Sequence, residues 1–336
     1  MKPLAAGLLL VALAAPTRGE VPDLYRKVAS VHWVVRDLDR VKAGWAKLGF
    51  LTLDLGEVTA TGSFQGQHGS SRFRLAQARL AGAEVLWIQP LESESAFSDH
   101  LARHGEGVFS INYAVPSREA LDAEVARLTG LGVGVLQRGE VTTPAGRLTV
   151  VHMDTAAEGK YVLGLVHDEA PGPAPEVPPT ATPLKLSQYA LVVRSLEKVS
   201  AYWERLGFPA MEITHGPLSD LVYRGQPGRF DQRLGWHRHG TVTWEWIEPV
   251  AGPTVYEDFL KEHGEGFHHF AFDVPDIDAA EAFFESHGAA VVQSGAWGDK
   301  GKPGSGRFAY AATDGFGGVT TEFLWNLREG AGKAQP

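Results

Sequence analysis

The stretch His263–Asp276, HGEGFHHFAFDVPD, carries an imidazole where a ligand-binding strand would need one. Read as a strand, it puts Phe267, His269, Ala271 and Asp273 on one face and His268, Phe270, Phe272 and Val274 on the other. The second face is apolar and is expected to pack under a helix, which makes His268 a structural residue. The first face holds small or polar side chains, as the wall of a ligand cup would, with His269 at its centre. An earlier passage, HGEGVFSINYAVPS over His104–Ser117, repeats the phrase with Ser110 in the place of His269. The difference assigns the chemistry to the second half of the chain.

Other reactive groups carry weaker signals. His237 and His239 flank Arg238 in the turn WHRHG, just before the strand that holds Glu245. They read as an exposed polar hairpin more readily than as contacts to a bound substrate. Trp244 and Trp246 alternate with Glu245 and are expected in a sheet–helix layer. Gly295–Gly306 contains DKGKPGSG but no G-x-x-x-x-G-K-[ST], so it reads as a mobile loop at a cup mouth rather than a phosphate cradle. There is no cysteine, which excludes a thiolate metal site, a disulfide framework and a lipoprotein anchor.

The elements that must position these residues come from a duplication. Val34–Phe50 reads VVRDLDRVKAGWAKLGF and Val192–Phe208 reads VVRSLEKVSAYWERLGF, identical at ten of seventeen positions. Trp87-Ile88-Gln89-Pro90 likewise answers Trp246-Ile247-Glu248-Pro249, and His104–Gly107 answers His263–Gly266. Between the copies, Glu169–Leu184 holds six prolines and reads as an extended linker. Within each copy the pattern strand–helix–strand–strand–strand is used twice. Ser195 is the expected N-cap of one helix, with Leu196, Val199, Trp203 and Leu206 inward and Gly207 ending it. A second helix is expected from Asp276, stopped by Gly288.

Composition narrows the class. With 31 basic and 40 acidic residues the formal charge is −9, spread along 336 residues, so nothing suggests a nucleic-acid surface or a disordered acidic tail. Lys2, the apolar run Leu4–Ala15 and the small-x-small Ala12-Leu13-Ala14 follow the grammar of a secretory signal peptide over 1–19. That run is too short to span a bilayer, which needs about 20 residues. The expected product is a periplasmic or secreted protein with no membrane attachment after cleavage.

The helix-then-LGF phrase, the W-x-E-P strand end and the strand Gly266–Phe272 together resemble the vicinal oxygen chelate superfamily, which includes glyoxalases, an epimerase and extradiol dioxygenases. The resemblance implies an α+β fold of four βαβββ modules paired into two tandem domains, 27–168 and 185–328, with a tail over 329–336. In that superfamily each module gives a cup one ligand from its first strand and one from its last. Carried over, these are Gln188, Glu245, His269 and Glu322. Strand alternation agrees, since Gln188 shares a face with Ala190, Glu245 with Thr243 and Glu322 with Thr320. One imidazole, two carboxylates and an amide oxygen suit one divalent ion of zinc, nickel, cobalt, manganese or iron. The matching positions of the first domain are Ser30, Leu86, Ser110 and Leu163, so that domain is expected to be metal-free. His32 faces its cup but stands alone, the usual mark of a packed histidine.

The ligand set resembles that of a glyoxalase. It implies a lyase or isomerase acting on a small carbonyl substrate through an enediolate, with Glu322 or Glu245 as the base. An extradiol or hydroxyphenylpyruvate-type dioxygenase shares the four-module layout, but its iron is held by two histidines and one carboxylate, and Gln188 breaks that set. A non-catalytic binding protein is the third reading, and it would need no converging carboxylates. With two domains in one chain, a monomer is expected.

Overall fold

The computed structural model describes residues 22–92, 94–143, 146–171, 176–177 and 184–327. The expected signal segment, most of the linker and the whole tail lie outside the described residues. The first half runs β1 (Ser30–Val34), α1 (Leu38–Lys47), β2 (Thr52–Phe64), β3 (Gln67–Leu80), β4 (Ala83–Pro90) and α2 (Ala96–His104). It continues with β5 (Gly107–Ala114), α3 (Arg118–Gly130), β6 (Val135–Thr143), β7 (Gly146–Met153), α4 (Ala156–Gly159) and β8 (Val162–Pro171). Strand β8 therefore extends three residues into the proline-rich segment.

The second half runs β9 (Lys185–Val192), α5 (Leu196–Arg205), β10 (Glu212–Thr214), β11 (Leu218–Tyr223), β12 (Gln226–Pro227), β13 (Asp231–His237) and β14 (Thr243–Ala251). After α6 (Val255–Glu262) come β15 (Gly266–Asp273), α7 (Ile277–Ser286), β16 (Val291–Trp297), β17 (Gly306–Ala311) and β18 (Thr320–Asn326). Local chemistry sets the helix ends. The Ser195 hydroxyl accepts from Lys198 N at 3.4 Å and the Asp276 carboxylate from Ala279 N at 3.0 Å. Gly207 and Gly288 close the helices at φ +99° and +92°, a conformation that glycine adopts freely.

The first two modules close into an eight-stranded barrel, ordered β1-β4-β3-β2-β6-β7-β8-β5. The last two make a ten-stranded sheet, β10-β13-β14-β9-β15-β18-β17-β16-β11-β12. One local difference separates them. Strand β2 runs 13 residues without a break. Its counterpart is split, so that β10 stays with β13 while β11 pairs with β16. The stretch Gly295–Gly306 is also more regular than expected, because Gly295–Trp297 ends β16 and only 298–305 form the connection.

The outer faces of the two sheets and their helices merge into one apolar core. The Trp33 and Phe270 rings lie 5.9 Å apart, and Tyr161 stacks on Trp203 at 4.7 Å. Trp45 Nε1 donates to Phe316 O at 2.9 Å, and Trp203 Nε1 to Gly159 O at 3.2 Å. The repeated HGEG phrase belongs to this junction. Glu106 and Glu265 accept from Arg36 N and Arg194 N at 2.7 and 2.8 Å, tying each β5-type strand to its partner turn. His263 Nδ1 and His104 Nδ1 each reach the other's backbone carbonyl, at 2.9 and 3.3 Å.

Candidate metal centre

Four central strands of the second sheet carry the site. Pairing aligns Glu245 with Ala190, and Ala190 with His269, in one row across β14, β9 and β15. The next row aligns Thr243, Gln188, Ala271 and Glu322. Both rows share the inner face with Val192, Ile247 and Leu324. The small Ala190 and Ala271 between the functional residues leave room for their side chains to converge.

Glu245, His269 and Glu322 do converge, each offering a ligand atom within 4.8 Å of the others. All three are buried, His269 completely. His269 Nε2 lies 3.1 Å from Glu322 Oε2 and 3.5 Å from Glu245 Oε2. The shorter contact is a hydrogen bond; the longer one is only an ion-pair distance, and among the described residues Glu245 Oε2 is left buried without a hydrogen bond. Gln188 Oε1 is likewise buried and has no partner among the described residues.

Burial alone would lower the His269 pKa. The charge of Glu322 and the closeness of both carboxylates outweigh it and push the imidazole up to about 9. Burial raises the Glu245 carboxyl, and the neighbouring Glu322 charge adds to that shift. Without a metal, then, one imidazolium sits among two carboxylates, and two oxygen acceptors remain unsatisfied. A divalent cation corrects both deficits, so the residues fit the ion that their types imply. They would hold it through His269 Nε2, one oxygen each from Glu245 and Glu322, and Gln188 Oε1.

The structure changes several expected placements. His268 is on the cup side, covered there by α6, and not on the outer face with Phe270 and Phe272. A β-bulge falls between Phe267, which pairs with Leu191, and His269, which pairs with Ala190. The extra residue turns Phe267 toward the shared outer core and brings His268 in beside His269, Nδ1 to Nδ1 at 2.8 Å. Its ring also meets Tyr256 and Phe259 of α6, at 5.6 and 5.0 Å. His237 is neither an exposed hairpin residue nor a site contact. It is buried on the opposite face against Trp246, beside His239, and burial lowers both imidazoles to about 4. Trp244 and Trp246 occupy that same outer layer.

Two tyrosines escaped the sequence reading. Tyr310 stands directly across from Glu322 in the β17–β18 register and accepts a 2.7 Å hydrogen bond from Tyr256 of α6. Burial, with the Glu322 charge, raises both phenols. Alternation along β17, which puts Phe308 and Tyr310 on the inner face, was the available signal.

In the first barrel the site is absent for a concrete reason. Asn112 pairs with Gly164 just as Ala271 pairs with Glu322, so Gly164 and not Leu163 is the counterpart of Glu322. Leu163 faces the shared core. The Asn112 side chain fills the space over Gly164, where an added Cβ would collide with it, and bonds to Ser110 and to Ser30 O. Ser30, Leu86 and Ser110 stand where expected. His32 is not alone, however, because its Nδ1 lies 3.4 Å from His152 Nε2. A separate cavity of about 350 Å³ opens between the two halves, beside His100, His104 and His263, and none of the four candidate ligands lines it.

A family model described as "Glyoxalase/Bleomycin resistance protein/Dioxygenase superfamily" matches residues 30–150 and 187–310. No curated protein matches the chain by sequence. Among solved structures, a mutant of 4-hydroxymandelate synthase from Streptomyces coelicolor is 18% identical, with 91% of this chain and 94% of that one covered and a TM-score of 0.58. A xylose isomerase-like TIM barrel/4-hydroxyphenylpyruvate dioxygenase fusion protein is 15% identical, over 93% of this chain and 50% of that one, at a TM-score of 0.56. A Mn(II)-bound glyoxalase from Novosphingobium aromaticivorans is 18% identical, over 90% and 83%, at 0.48. At these identities the likeness is one of fold. Matched in both of its halves by one family model, the chain belongs to the Glyoxalase/Bleomycin resistance protein/Dioxygenase superfamily.

Proposed function

We propose that the protein is a divalent-metal-dependent lyase or isomerase that moves a proton next to the carbonyl of a small, oxygen-chelating substrate. The observation that carries this reading is the buried Glu245–His269–Glu322 cluster, with Glu245 Oε2 and Gln188 Oε1 both lacking hydrogen bonds. When bound, the ion would act as a Lewis acid on substrate oxygens and favour the negative charge that proton loss creates.

The protein's own residues divide the remaining work. In the metal-free protein Glu322 accepts a 3.1 Å hydrogen bond from His269 Nε2, the nitrogen the ion would take over, so the two residues would then be held together through the ion. Glu245, free of such a bond, is the carboxylate able to swing and carry the proton. Tyr256 and Tyr310 form an uncharged hydrogen-bonded pair beside Glu322 that keeps the carboxylate in place. Dioxygen chemistry is disfavoured by Gln188, which stands where a second histidine would be needed.

The test is elemental analysis of the wild type beside Glu322→Ala and His269→Ala. Uptake of deuterium from solvent next to the carbonyl is then followed by NMR for a panel of small α-hydroxy ketones and α-ketoaldehydes. About one equivalent of zinc, nickel, cobalt or manganese, lost in both variants, with exchange abolished by Glu245→Gln, is the expected result. Iron together with oxygen consumption would transfer the protein to the dioxygenases, and no metal even after reloading would end the enzymatic proposal.

A further inference from the structure

The first barrel replaces each group of the metal cup with a different chemistry. By strand register His152 takes the place of Tyr310, and His32 that of Ala190. Phe109, in the bulge position, replaces His268. The interior they face holds a cavity of about 240 Å³ with walls of Val58, Phe73, Leu75, Leu86, Phe97 and Leu148. Among the described residues no lysine or arginine lines it, and Glu84 is the one charged residue that does; its Oε1 meets Arg79 at 2.6 Å, while its Oε2 is buried without a hydrogen bond. His152 also lines it, 1% exposed, and its buried Nδ1 has no hydrogen-bond partner among the described residues.

We infer that the first barrel is a second small-molecule site, separate from the metal cup, for an uncharged one-ring molecule bearing a hydroxyl. Size sets the first limit, because an apolar cavity of roughly 150 Å³ already accepts benzene, and this one is larger but below the usual range for drug-sized ligands. The absence of a cationic wall residue rules against an anion. The polar end sets the last limit. The two imidazoles share one proton across 3.4 Å, so His152 Nδ1 is left as either a donor or an acceptor depending on the tautomer. A hydroxyl satisfies either state. Burial holds both imidazoles neutral, His32 at about 4, which agrees with an uncharged guest.

Calorimetric titration of the full chain with p-cresol, and with toluene as the same shape without the hydroxyl, tests the assignment. One p-cresol should bind per chain, about tenfold more tightly than toluene, the ratio expected for one added hydrogen bond to a buried partner. His152→Phe should remove that preference while toluene still binds, and Leu148→Trp, which fills the cavity, should remove both ligands. An unchanged far-UV circular dichroism spectrum and a cooperative thermal melt report that each variant is folded. No p-cresol binding to wild type, equal affinity for toluene, or unchanged binding in Leu148→Trp would overturn the inference. So would a zinc ion held by His32 and His152, which would make the pair a metal site instead.

Discussion

His269 Nε2 and Glu322 Oε2, 53 residues apart in the chain, meet at 3.1 Å inside the second sheet, with Glu245 Oε2 only 0.4 Å farther from the same nitrogen. In the metal-free protein this imidazole is the cation that two buried carboxylates share. Replacing His269 by alanine leaves them facing each other uncompensated. His269→Ala should therefore lower metal-free stability at neutral pH by about 3–5 kcal/mol, the usual cost of breaking a buried pair. Urea denaturation after chelation measures it. A loss under 1 kcal/mol would mean that the carboxylates are not both ionised.

The same contact sets a pH dependence. The folded His269 pKa, about 9, lies above the unfolded value of about 6.5. Its contribution is thus fully present below pH 6.5 and is lost as pH rises through 9, up to roughly 3 kcal/mol. His32 works in the other direction, since burial depresses it to about 4 and its contribution fades as pH falls from 6.5 toward 4. Chelated protein should be most stable near neutrality, and the alkaline decline should be absent from His269→Ala. Thermal melts across pH 4–10 would show it, and an unchanged alkaline limb in the variant would refute the assignment.

Gln188 predicts opposite signs for two measurements. Its Oε1 is buried without a partner, an arrangement that typically costs about 1–3 kcal/mol. Gln188→Met keeps the volume and removes the orphan oxygen. The metal-free protein should gain about 1 kcal/mol while metal affinity falls, read by denaturation and by competition with a chelator. A stability gain without loss of affinity would remove Gln188 from the ligand set.

The shared core makes the halves interdependent. Trp33 against Phe270 and Tyr161 against Trp203 are buried only while both halves are present, and each such side chain contributes about 1.5–3 kcal/mol by leaving water. Calorimetry of the full chain should show one cooperative transition, and residues 185–328 expressed alone should aggregate or melt without one. Two resolved transitions would contradict this.

Much of the fold could be read from local pattern. Helix caps at Ser195 and Asp276, the glycine stops at Gly207 and Gly288, and the strands carrying Glu245, His269 and Glu322 all depend on neighbours within a few residues, which the sequence displays directly. The duplication added the comparison that singled out the second half. The misplacements of His268 and Leu163 share one physical origin. Faces along a strand alternate every residue, so a single insertion exchanges inside for outside. The bulge at His268 is such an insertion, and it brought a histidine read as structural into the cup. A one-residue drift between the repeats did the same for Leu163, whose place belongs to Gly164.

Side-chain types and their periodicity along the chain thus determined the modules and their number, and the resemblance to a known superfamily added the four candidate metal ligands. Which of those residues meet was decided by pairing between strands distant in sequence. That pairing buried His269 between two glutamates, set His152 against His32, and closed one barrel around an apolar cavity while leaving its sister sheet open. Hydrogen bonds between strands depend on register across the whole sheet, and register is a property of the assembled tertiary structure rather than of any one segment.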